Sequence, residues 1–223
     1  MAQSTANPGL CLIVEVHGDP DLAARLGVLL TASGAETLIL TAPRNGAIDK
    51  SAARSLVETA QKHEVAALIA DDLATAKAVG ADGVHLSWRP EIEDAYEAAR
   101  EALGAEAIVG ADAGASRHDA MTLGEAGADY IAFGGMAGAV GPDEIRETRR
   151  EFVTWWSAIF LVPVVAFDIE AAVDVADLAQ AGADFIAVHV PSAAGDAADK
   201  EWLAGLLAAL RSSPADRAEE QPS

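Results

Sequence analysis

Short apolar runs in this 223-residue chain end repeatedly in a carboxylate or an imidazole. Glu15-Val16-His17 closes the first run, Thr41 the second and Asp71-Asp72 the third. His85 and then Ser87-Trp88-Arg89 stand at the fourth, Asp112 at the fifth and Gly134-Gly135 at the sixth. Asp168 and His189 end the seventh and eighth. Carboxylate oxygens suit a hard divalent cation. Imidazoles, with an ordinary pKa near neutrality, suit general acid–base work. His85, Asp112 and His189 are therefore the candidate catalytic groups. The glycines at Gly134 and Gly135 would let a phosphate approach the backbone. Capping competes for the acids, because Asp72 precedes LATAKAV and Asp168 precedes IEAAVDVADLA, each with a helical pattern.

Charge narrows the partners. There are 35 acidic residues against 15 basic ones, a formal net charge of −20, and only four lysines (Lys50, Lys62, Lys77, Lys200). Nucleic acid and anionic membrane both require clustered Lys and Arg, so neither is an expected partner. A small anionic ligand would need Mg²⁺ or backbone amides to offset its charge. Hydrophobic residues make up 51 % of the chain, but no apolar run approaches the ~20 residues of a membrane span. The start, MAQSTANPGL, lacks a signal-peptide pattern, and the lone Cys11 permits no disulfide framework. The expected location is the cytoplasm.

Four near-copies of one phrase show which elements position these groups: GAETLIL at 34–40, GADGVHL at 80–86, GADYIAFG at 127–134 and GADFIAV at 182–188. An Ala-rich amphipathic segment precedes each copy, and an apolar strand follows. Glycine after a helix takes the left-handed conformation that L-residues resist, so each copy reads as helix stop, turn and strand start. Further strands lie between the copies, giving eight near 10–16, 37–41, 65–70, 83–86, 107–111, 129–133, 162–167 and 184–189. Helical segments separate them, and a last helix is expected over 201–210. Eight strands alternating with eight helices predict one domain, a (β/α)₈ TIM barrel over 10–210. Residues 1–9 are expected to be a flexible N-terminus and 211–223 a disordered tail. In such a barrel the groups above share the C-terminal rim of the strands. Trp155-Trp156, with Phe152 and Phe160, is expected to pack the outer ring or to form a homo-oligomer contact.

ADDLATAKAVGADGVHL, followed by IVGADA, EAGADYIAFG, VPVVAF and QAGADFIAV, resembles the thiamine phosphate synthase and thiazole tautomerase family over roughly 65–190. The resemblance implies a transferase that joins hydroxymethylpyrimidine diphosphate to a thiazole phosphate, with Mg²⁺ and release of pyrophosphate. It places Asp72 at the family's metal-binding acid, with Asp71 beside it and Glu91 as the substitute for a second acid lost at Ser87-Trp88-Arg89-Pro90. Arg44 and Arg89 stand in for missing basic and polar contacts, and Asp112 falls where the family has a serine. The departures are concentrated on phosphate. The Thr-x-Thr-Lys loop after strand six is GMAGAVGPDE, without lysine. The Gly-Gly that holds the thiazole phosphate after strand seven is Phe167-Asp168, which puts Asp168 in a substrate-binding position, and the serine of strand eight is Val190. His118 lies near the histidine on which the tautomerase branch relies. The expected function is a diverged thiamine phosphate synthase-like protein of thiamine biosynthesis, its synthase activity weak or lost, with small phosphorylated thiamine precursors as partners. Two alternatives are a non-catalytic barrel that binds a small molecule or a protein partner, and a barrel repurposed for another metal-assisted reaction.

Overall fold

A computed structural model describes residues 7–134, 141–169, 172–192 and 196–211. Eight strands, β1 (Gly9–Glu15), β2 (Thr37–Thr41), β3 (Ala66–Ala70), β4 (Gly83–Leu86), β5 (Ile108–Asp112), β6 (Ile131–Phe133), β7 (Val164–Ile169) and β8 (Phe185–His189), close into a parallel barrel in chain order. The helices α1 (Leu22–Ser33), α2 (Lys50–Lys62), α3 (Leu73–Val79), α4 (Ile92–Leu103), α5 (Arg117–Glu125), α6 (Pro142–Ile159), α7 (Ala172–Gln180) and α8 (Asp196–Arg211) alternate with them. The expected barrel is the observed fold, each strand within two residues of its expected bounds. Residues 212–223 of the expected tail and 1–6 of the expected N-terminal segment lie outside the described residues, while Gly9 belongs to β1 and Arg211 to α8.

Strand side chains alternate between two cores. One face packs against the helices; the other builds a separate cluster from strand residues together with Tyr130 just before β6, including Cys11, Ile13, Ile39, Leu68, Val165 and Phe167. This second cluster lines the barrel interior. Tyr130 sets its shape: its ring takes the space beside Gly110, where a Cβ would stand 1.9 Å from the ring. Burial in this cluster pushes the Cys11 thiol up to about 12.

The repeated phrase is explained at the opposite end from the rim. Gly34, Gly80, Gly127 and Gly182 all have positive φ and follow a helix. The acids two residues on do more than turn the chain. Asp82 accepts a hydrogen bond from the Ala67 amide of β3, Asp129 from Val109 of β5, and Asp184 from Val164 of β7, at 2.7–2.8 Å. Each acid entering an even strand thus ties down the start of the preceding odd strand. Glu36, one methylene longer, makes no such side-chain bond among the described residues.

Trp156 is fully buried, its indole N–H donating to the Val162 carbonyl at 2.7 Å, and Trp155 packs at the cluster's edge. This is outer-ring packing. No described helix is long and apolar enough to cross a membrane.

Candidate functional site at the C-terminal rim

The β3–β4 side of the rim is built around a pair of aspartates with divergent tasks. Asp71 has a positive φ of 57° and its Oδ1 accepts the Ser87 amide at 2.9 Å while pairing with the Arg89 guanidinium. Asp72 caps α3, as the sequence pattern predicts: Oδ1 accepts the Thr75 amide at 2.8 Å and Oδ2 its hydroxyl at 2.6 Å. The Thr75 hydroxyl and amide hold the Asp72 carboxyl below its ordinary value. Glu91 sits in the left-handed region at the start of α4 and makes no side-chain cap. Among the described residues no three His, Cys, Asp or Glu side chains come together in a group able to hold a metal. In this arrangement Asp72 is engaged by Thr75 and Asp71 by Arg89.

Below the rim His85 is fully buried. Its ring stacks on Phe167 at 4.1 Å between centroids, and Nδ1 lies 2.9 Å from the Tyr130 hydroxyl. Nε2 is buried and has no hydrogen-bond partner among the described residues. Burial drives the His85 pKa down to about 4, so the ring is neutral at pH 7. It is a core group under the rim. Asp112 is buried too, its Oδ1 accepting the Gly114 amide at 2.7 Å and the Gly134 amide at 3.3 Å. A Cβ on Gly134 would press on Phe167 and Asp112, so this glycine has a packing reason independent of any phosphate. Gly135 lies outside the described residues. Arg44 is exposed in the β2–α2 connection, and His118 is exposed on α5.

The β7–β8 side differs from expectation. Asp168 lies inside β7, which continues through Ile169, rather than at a helix start. The register shifts between Ala166 and Ile169, and Asp168 takes a φ of 63° within that irregularity. Such a bulge re-aims a side chain at a barrel rim. The half-exposed Asp168 Oδ1 then meets His189 Nε2 at 2.6 Å, joining two candidates from neighbouring strands. His189 holds the Asp168 carboxyl below its ordinary value, against the opposing effect of burial.

Arg149 anchors this corner and was not among the sequence candidates. Buried on α6, it donates from Nε to the Phe133 carbonyl at 3.2 Å, and from Nη2 to the carbonyls of Gly134 at 3.4 Å and Asp168 at 3.5 Å. The signal was present: Arg149, Phe152, Val153 and Trp156 occupy the i, i+3, i+4 and i+7 positions of an inward stripe.

A profile of the family described as "Thiamine monophosphate synthase" matches residues 11–190. The thiamine-phosphate synthase of Erythrobacter litoralis is 40 % identical over 155 residues, covering 67 % of this chain and 71 % of that one. The thiamine-phosphate synthase of Hyphomonas neptunium is 37 % identical over 149 residues, covering 65 % of this chain and 66 % of its own length. Among solved structures, thiamine phosphate pyrophosphorylase from Pyrococcus furiosus aligns with a TM-score of 0.66 at 22 % identity, covering 93 % and 98 % of the two chains. Tryptophan synthase from Mycobacterium tuberculosis aligns with a TM-score of 0.70 at 14 % identity, over 93 % of this chain and 94 % of that one. Likeness at these identities speaks to the barrel alone.

Proposed function

Because the chain belongs to the thiamine monophosphate synthase family, we propose that it serves thiamine biosynthesis by binding the pyrimidine and thiazole precursors of thiamine phosphate, with the synthase reaction weak or lost. That reaction couples hydroxymethylpyrimidine diphosphate to the thiazole phosphate and releases pyrophosphate.

One observation carries the second half of the reading. Where the resemblance puts the glycine pair that holds the thiazole phosphate, this chain presents the Asp168 carboxylate, bonded to His189. An anion at contact distance from a phosphate is repelled by more than ~1 kcal/mol even in bulk water, and by several times that near a protein surface. The pyrimidine side keeps cationic groups: Arg44 is exposed after β2, and Arg89, in the β4–α4 connection, pairs with Asp71 after β3. The diphosphate is assigned to that side.

The family's magnesium would act on the diphosphate; the engagement of Asp72 by Thr75 and of Asp71 by Arg89 supports a site that binds the diphosphate without it. Calorimetric titration of hydroxymethylpyrimidine diphosphate tests the reading. Saturable binding is the expected result, and no binding at millimolar ligand contradicts it. Magnesium is expected to change that affinity less than threefold, and Asp72→Ala is expected to act on stability through loss of the α3 cap, by ~1 kcal/mol. A magnesium requirement that Asp72→Ala removes would assign Asp72 to the metal after all.

A further inference from the structure

We propose that the N-terminal end of the barrel, opposite the rim, holds a second binding site that takes one small uncharged ring. Its basis is a cavity of about 200 Å³ among the strand starts. Cys11, Ile39, Leu68, Tyr130, Val165 and Phe185 form its walls.

Small side chains make the room. Cys11 and its β8 partner Ala187 both belong to the interior cluster, at positions a barrel of this kind ordinarily fills with bulky branched residues. Tyr130 keeps the room open. Its ring is packed at Gly110, and its hydroxyl lies 2.9 Å from His85 Nδ1. Collapse of that ring into the cavity would strand a buried nitrogen of His85, which carries the cost of an unmade hydrogen bond.

The chemistry of the wall selects the ligand. Asp129 is committed, accepting the Val109 amide at 2.7 Å and the Arg100 guanidinium at 2.6 Å. The Tyr130 hydroxyl is taken by His85, and burial keeps Cys11 an uncharged thiol. Among the described residues that line the cavity there is no Lys, Arg or His. An anion entering here would lose its hydration without meeting a counter-ion, and that burial is costly. An apolar ring instead gains by leaving water. An apolar cavity of about 150 Å³ is enough to take up benzene, so the space suits a single ring.

The test is calorimetric titration of the full chain with benzene and, separately, with benzoate, which adds a charge to the same ring. Benzene is expected to bind saturably at one site per chain with a dissociation constant in the millimolar range or below, and benzoate at least about tenfold more weakly. Two variants place a ring of the protein's own in the space. Leu68→Phe does so from the fully buried wall, and Thr37→Phe from the half-buried start of β2, on the face it shares with Ile39. Each should abolish benzene binding, and Thr37→Phe decides the matter should the Leu68 variant fail to fold. No saturable binding of benzene by the unaltered chain overturns the proposal. So does undiminished binding by folded Thr37→Phe, which would place the ligand elsewhere, and so does equal binding of benzoate.

Discussion

Burial of His85 between Phe167 and Tyr130 makes its imidazole neutral at pH 7, with a pKa near 4 against an ordinary value of 6.5. Its folded pKa is depressed, so the unfolded chain takes up the proton first as pH falls. The contribution of neutral His85 is complete above pH 6.5 and is lost between about 6.5 and 4, by up to ~3 kcal/mol. Denaturant midpoints at pH 7 and pH 4.5 should therefore fall more steeply for the natural chain than for His85→Phe; equal slopes would refute this account of the core. The residue type made His85 a catalytic candidate, whereas its burial is a tertiary fact. Only packing shows that Phe167 and Tyr130 enclose the ring. Asp72 was more legible, because a cap is a local device spanning four residues. Arg149 was legible in its spacing, and an inward arginine on an outer helix marks a polar target beneath it.

At the scale of elements, the repeated phrase specified helix ends and strand starts, and the four positive-φ glycines stand where it put them. The role of its acids was not local. Asp82, Asp129 and Asp184 each bond a strand entered 15 to 20 residues earlier in sequence. Replacing any of the three with Ala strands a backbone N–H and should cost ~1–3 kcal/mol, while Glu36→Ala should be near neutral. Asp129→Ala should be the largest, because Arg100 also pairs with that carboxylate at 2.6 Å. Thermal melts of the four variants decide it, and a uniform effect across all four would remove the strand-tying role. The irregularity in β7 was invisible in the pattern VPVVAFDIEAA, since an acid before a helix-like segment reads as a cap. The chain instead keeps extending through Ile169, and Asp168 becomes part of the rim.

For the whole molecule, alternation of eight strands and eight helices was enough to predict the barrel, because each strand is short, apolar and bounded by turn residues. The net charge of −20 was equally plain, and it acts on the fold as self-repulsion. Raising salt from ~0.01 M to ~0.15 M shortens the screening length from about 30 Å to about 8 Å, so the melting temperature should rise. A flat or falling profile would mean that the acids are locally balanced by ion pairs such as Arg25–Asp199. The same surplus of acid limits what the rim can bind. A scaffold shared with thiamine-phosphate synthases now carries a carboxylate–imidazole pair at the corner where the resemblance places a phosphate. The most direct test is thiamine phosphate formation from hydroxymethylpyrimidine diphosphate, thiazole phosphate and Mg²⁺, run beside the Erythrobacter litoralis relative. A rate at least a hundredfold lower, partly restored by Asp168→Gly, is the predicted result. A rate equal to the relative's, unchanged by that substitution, would contradict it.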